Sequence, residues 1–401
     1  MKNTIYLLIC IVLCSMHGCS CSNNKSSSQI LMIQTGAEQT EKYIPLLKNK
    51  NVAIVANHST MINGTHLVDS LLALGIDVKK IFSPEHGFRG SADAGELVDN
   101  AIDPKTGLQV VSLYGNSKKP LAKDLEKIDL VVFDIQDVGV RFYTYISTMH
   151  YVMEVCADNN VEMLVLDRPN PNGYYIDGPV LDTAYQSFVG MHPVPIVHGM
   201  TIAEFAQMIN GESWLDNGFK CDLNVVPCAN YTHDSLYQLS ISPSPNLQNM
   251  LAIYLYPSLG FFEGTALNVG RGTDFPFQVF GSPELQNAEF TYKPRSINGF
   301  SKNPKHKNLK CYGVDLRNIN IKQLTALRKI NLEWLIYGYQ NSPDKNHFFN
   351  AFFYNISGTS ELENQIRAGL SADEIRKSWK PELEEFKKIR EKYLIYPDFK
   401  D

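Results

Sequence analysis

Beyond its amino-terminal leader the chain has no apolar run long enough to span a bilayer. It has no long basic stretch either. The net charge is -5, which argues against nucleic acid as a partner. Cysteine is scarce in the body: of 8, Cys10, Cys14, Cys19 and Cys21 lie in the leader, leaving Cys156, Cys221, Cys228 and Cys311. Their spacing suggests no zinc site. Cys221 and Cys228 would be able to pair in an oxidising compartment, and Cys156 reads as a small core residue. The glycine pattern that cradles a nucleotide phosphate before a helix is absent. Ser59 and Ser83 lack a nucleophile-elbow context, which disfavours a serine hydrolase. No internal repeat is visible. What remains is an ordinary globular composition, 44% hydrophobic and 20% charged, over 401 residues, enough for two domains.

The first 30 residues read as targeting sequence rather than fold. Lys2 supplies a positive start, Ile5 to Cys14 a short apolar core, and a Ser/Asn/Lys-rich tether follows. Cys19 after Gly18 looks like a lipid-attachment cysteine; a plain secretory signal cut near Gly18 or Ser20 is the alternative. Either reading implies export, with periplasmic residence or membrane anchoring through a lipid on Cys19.

From residue 51 to about 227, short apolar runs alternate with helical stretches. Strands are expected at 52–56, 78–82, 109–113, 130–135 and 162–166, with helices at 65–74, 146–159 and 201–210. His66 falls on the polar side of its helix. Thr201 and Glu204 have capping-box spacing. Such alternation indicates βαβ units, hence an α/β fold with a parallel sheet over residues 31–250. From about Ser240 onward, Tyr, Phe, Pro and Gly dominate as far as Gly281. A strand near 310–316 and helices near 321–335 and 372–392 then suggest a smaller α+β domain over residues 251–401.

Chemistry is expected where buried strands end, because ligands of open α/β sheets bind beyond the carboxyl ends of the strands. One such place is Ser83-Pro84-Glu85-His86-Gly87-Phe88-Arg89-Gly90. Glu85 there is the first candidate for a general acid, a role that requires surroundings favouring the protonated carboxyl. A loop salt bridge from Glu85 to Arg89 is an equal alternative. The other place is Asp134-Ile135-Gln136-Asp137-Val138-Gly139-Val140-Arg141-Phe142-Tyr143-Thr144-Tyr145. Asp134 and Asp137, three apart, suit glycosidic hydrolysis, phosphoryl chemistry or a divalent cation, the metal reading being the weaker. Asn57 and His58 follow the first strand and are plausible ligand contacts. Arg141, Arg168 and Arg271 sit in loops rich in Gly, Pro and Asn, where a guanidinium suits a carboxylate grip. For Arg168 a structural pair with Asp167 is favoured.

With these loops in order, the chain resembles the exo-β-N-acetylmuramidase family. The resemblance rests on Asn57-His58-Ser59, the Glu85 and Asp134–Tyr145 loops, Asp167-Arg168-Pro169-Asn170-Pro171, Gly178-Pro179, His198-Gly199-Met200-Thr201, and Glu263-Gly264-Thr265 through Gly270-Arg271-Gly272-Thr273-Asp274. It implies a Rossmann-like first domain, a smaller second domain and an active site in the cleft between them. It also implies removal of N-acetylmuramic acid from the non-reducing end of peptidoglycan fragments, with Glu85 as catalytic acid and no cofactor. The expected site is then Glu85, Asp134 and Asp137 for catalysis. Asn57, His58, His86, Gln136, Arg141, Tyr143, Tyr145, Glu263 and Arg271 would contact the sugar. Its lactyl carboxylate needs a cation, for which Arg141 and Arg271 compete. A non-catalytic peptidoglycan-binding lipoprotein and a cation-dependent phosphoesterase built on Asp134 and Asp137 are the other classes in view. The oligomeric state is not legible.

Overall fold

The strand Val52–Ala56 is buried along its whole length, and so is Leu130–Asp134. Their side chains alternate between two cores. Ala53, Val55, Val131 and Phe133 join one cluster with Met149, Met153 and Phe205; Val52, Ile54, Leu130 and Val132 join another with Tyr43, Leu67 and Leu71. A sheet apolar on both faces must be covered on both, which is why these runs carry no polar alternation. The computed structural model describes residues 32–85, 87–89, 101–115 and 117–400, without the Asn217 side chain; the leader, Cys19 and His86 lie outside them.

With β1 (Val52–Ala56), β2 (Met61–Ile62), β3 (Thr65–His66), β4 (Val78–Ser83), β5 (Ala101–Ile102), β6 (Gln109–Ser112), β7 (Leu130–Asp134), β8 (Glu162–Leu166) and β9 (Leu223–Val226), the seven-stranded sheet runs β5-β6-β4-β1-β7-β8-β9. All its pairs are parallel except β5 with β6. The six parallel strands therefore follow the doubly wound 3-2-1-4-5-6 order, whose direction reverses between β1 and β7. Helices Thr40–Leu47 and Leu67–Ala73 cover one face, Tyr145–Asp158 and Ile202–Gly211 the other. Thr201 and Glu204 form the expected capping box on the last of these. Beyond residue 250 come helix Met250–Leu259, the 3-10 turn Gly260–Gly264, and a three-stranded antiparallel sheet of β10 (Val279–Ser282), β12 (Cys311–Asp315) and β11 (Phe290–Tyr292). One apolar cluster runs through both parts, from Ala53 to Phe386.

The local expectations fail in three places. Thr65 and His66 form a hairpin with Met61 and Ile62, so the helix begins at Leu67. His66 is buried as its cap, bonded to the Asn57 carbonyl at 3.0 Å. The single helix expected at 321–335 is two, Ile321–Ala326 and Glu333–Asn341. Arg328 between them has φ +46°, which no right-handed helix tolerates. Cys221 and Cys228 are not joined: all four described cysteines are free and buried. The Cys228 thiol lies 3.3 Å from the Asp167 carbonyl.

Candidate active site

The register places the ends of four parallel strands level, with Ala56 opposite Asp134, Val55 opposite Phe82 and Ser83 opposite Ser112. The loops that follow them converge. Glu85, one turn beyond β4, lines a cavity of about 520 Å³ with Tyr114 and Lys118 from the loop after β6 and Phe142 and Thr144 from the loop after β7. Thr144 sits at the amino-terminal cap of helix Tyr145–Asp158 but gives it no side-chain bond. Its hydroxyl donates instead to Glu85 Oε2 at 3.4 Å.

The opposite wall comes from the chain beyond residue 250: Tyr256, Gly260, Glu263, Arg271 and Asn355. Arg271 Nε donates to Glu263 at 3.0 Å, and its guanidinium lies 5.0 Å above the Phe277 ring. The two partners remain 25% and 28% exposed, open to a ligand. Burial opposes the Arg271 charge, but Glu263 outweighs it and Glu85 adds to it, so the group is held above its ordinary pKa and stays a cation. The loop is built for this. Gly270 and Gly272 both take φ +80°, and a Cβ on either would meet backbone or ring atoms within 3 Å. Asn268 accepts from the Gly270 amide at 2.6 Å and donates to the Arg271 carbonyl at 3.2 Å. Phe277 itself holds φ +55°, strain of order 1–3 kcal/mol that places its ring under the guanidinium. Lys305 donates to the carbonyls of Phe262, Thr265 and Leu267 and so pins the segment that carries Glu263. Tyr256 and Tyr145 are pushed above the ordinary phenol range, chiefly by burial and in part by Glu85. Both are neutral hydroxyls.

Several expected residues stand elsewhere. Asp134 is fully buried and bonded twice by Arg168, at 2.5 and 2.8 Å. That pair braces the sheet end, and Asp134 does not line the cavity. Arg168 is structural as expected, but through Asp134, since Asp167 accepts from Tyr396 and the Ala203 amide. Arg141 has no exposed surface and donates to four carbonyls, those of Pro179, Val194, Ile356 and Ser357, at 2.7 to 3.1 Å. A guanidinium so occupied does not grip a substrate carboxylate. Asp137 lies buried and away from the cavity lining, one oxygen taking the Gly139 amide at 2.6 Å and the other without a partner. Asn57 donates to the Tyr145 hydroxyl at 2.7 Å, His58 meets the Ser242 carbonyl at 2.9 Å, and Gln136 donates to Asp137 and Pro169 carbonyls. These three shape the loops without lining the cavity. Tyr145 likewise stands against Tyr143, which lines a smaller neighbouring cavity together with Glu85 and Arg271. Arg89 pairs with Asp103 and Asp69 rather than with Glu85. Lys118, Thr144, Tyr256 and Asn355 line the cavity beyond the residues expected from sequence. The carboxyl-edge rule reaches Lys118 and Thr144; nothing local marks Asn355.

The chain is similar to known proteins along most of its length. Residues 52–251 match the family described as exo-beta-N-acetylmuramidase NamZ, N-terminal, and residues 254–396 its C-terminal counterpart. The peptidoglycan beta-N-acetylmuramidase NamZ of Bacillus subtilis (strain 168) is 36% identical over 383 residues, 91% of each chain. A crystal structure of a DUF1343 family protein from Bacteroides fragilis NCTC 9343 superposes with a TM-score of 0.86 at 48% identity, over 92% of this chain and all of that one. A second DUF1343 family structure from the same organism gives 0.74 at 29% identity, over 91% of this chain and 99% of that one.

Proposed function

The chain belongs to the exo-β-N-acetylmuramidase family and is a glycoside hydrolase acting on peptidoglycan fragments; from that premise we propose how its cavity does the chemistry. Glu85 is the general acid, delivering its proton to the glycosidic oxygen as the bond to N-acetylmuramic acid breaks, while water supplies the new hydroxyl at the anomeric carbon and returns a proton. Thr144 orients the carboxyl for that transfer. Arg271 reads the lactyl carboxylate: its Nε is held by Glu263, which leaves the two Nη groups to grip an anion. Glu263 alone would offset that charge, and Lys118 on the same cavity supplies a second cation. The carrying observation is that Glu85 and the Arg271–Glu263 pair line one cavity, supplied by opposite parts of the chain. Its volume falls within the range of small-molecule sites. The leader supports export, with Cys19 as the lipid-bearing residue.

The test is a pair of chromogenic substrates. The purified protein is expected to release N-acetylmuramic acid from an aryl β-N-acetylmuraminide and to leave the matching β-N-acetylglucosaminide, which lacks the lactyl group, almost untouched. Equal turnover of both contradicts lactyl recognition, and turnover of neither contradicts the assignment.

A further inference from the structure

A second cavity, also about 520 Å³, shares Ser187 and Phe188 with the catalytic one. Phe188 forms the ridge between them. The Lys118 ammonium sits 4.4 Å over its ring, and Lys118 lines only the catalytic cavity. The Tyr151 ring lies nearly parallel to Phe188, 6.0 Å away at 11°, and Tyr151 lines only the second. Half-buried Trp214 completes the aromatic wall, tilted against His192 at 5.1 Å.

The same cavity is lined by a largely buried polar chain, His150, Glu154 and His192, that the catalytic reading does not use. Glu154 accepts from Lys119 at 2.8 Å and from the Asp216 amide at 3.2 Å. Although its burial opposes the charge, His150 and Lys119 outweigh that and hold the carboxyl down to about 2. Facing a carboxylate at 3.0 Å, His150 Nε2 is the donor, so in the neutral ring His150 Nδ1 accepts from His192 Nε2 at 2.9 Å. Burying three such side chains is costly unless each is bonded, and apolar residues would fill the space at less cost. Their effect is to fix His192, and with it the face of Trp214.

We propose that this second cavity is the subsite for the neutral amino sugar on the reducing side of the scissile bond. The inference rests on the hydrolase reading above. Flat aromatic faces take the apolar face of a pyranose, while Thr183, Gln186 and Asp216 on the rim offer hydroxyl, amide and carboxylate partners. Continuity with the catalytic cavity through Phe188 gives the departing part of the fragment its path. The ionised groups that line the second cavity, Glu154 and Asp216, are acidic. They favour an uncharged sugar over a carboxylate-bearing stem peptide.

The experiment compares wild type, Trp214→Ala and Tyr151→Ala on an aryl β-N-acetylmuraminide and on a peptide-free tetrasaccharide with N-acetylmuramic acid at its non-reducing end. Each variant is expected to raise KM for the tetrasaccharide by roughly tenfold or more while leaving the aryl substrate within about twofold. The aryl rate also reports that the variant is folded. Parallel losses on both substrates, no loss on either, or a loss confined to fragments bearing stem peptides would overturn the subsite. A wild type inactive on both substrates overturns the hydrolase reading and this one with it.

Discussion

Arg141 and Arg271 are both arginines beside glycines in loops, and only their surroundings separate them. Arg141 is enclosed by four carbonyls, with burial pushing its pKa down to about 9. It ties the loop after β7 to Ile356 and Ser357 near the end of helix Phe352–Ser357. Arg271 keeps part of its surface open and one carboxylate partner. The same substitution should therefore do opposite things. Arg271→Lys keeps the charge but loses the planar two-pronged grip, at a cost on the order of 2 kcal/mol or more. That is roughly thirtyfold in kcat/KM on the aryl muraminide, with the melting temperature nearly unchanged. Arg141→Lys leaves buried carbonyls unpaired at about 1–3 kcal/mol each, so it should lower the melting temperature by several degrees. Any activity it loses should track unfolding. If Arg141→Lys instead raised KM selectively in a protein as stable as wild type, the two assignments would be reversed.

At the scale of elements, the turn after β7 is dense in polar side chains, and much of that chemistry is internal support. Asp137 lies there, and burial raises its pKa to about 7. In the unfolded chain an aspartate loses its proton near pH 4. The native state therefore binds more protons between those values, and its stability from this group falls as pH climbs through that window. Each pH unit counts about 1.4 kcal/mol there. Asp137→Asn cannot ionise, so melting curves should show the variant gaining on wild type as pH rises from 5 to 8. A gap that is constant across this range contradicts a buried protonated carboxyl. The strands of the large sheet were legible because burial on both faces leaves an unbroken apolar run, and the five expected before residue 250 formed. The helix break at Arg328 was not, since a left-handed residue there follows from tertiary packing rather than local propensity. Glu85 and Arg271 were legible by their place at a strand end and between glycines. Asp134 and Arg141 carried the same local signs, and what distinguishes them, a partner 34 residues away for one and carbonyls up to 216 away for the other, is invisible to spacing.

The whole molecule brings together an acid from the carboxyl edge of the doubly wound sheet and a cation from the chain beyond residue 250, over one continuous apolar cluster. Neither part lines the cavity alone. Glu85 is proposed to protonate the departing oxygen, and leaving-group dependence measures that step. With Glu85→Gln, kcat/KM on N-acetylmuramyl-N-acetylglucosamine, whose sugar alcohol departs poorly without a proton, should fall by roughly two to four orders of magnitude. An aryl muraminide with an activated phenol needs less help and should lose far less. An equal loss on both substrates, in a variant with wild-type circular dichroism, contradicts Glu85 as the acid.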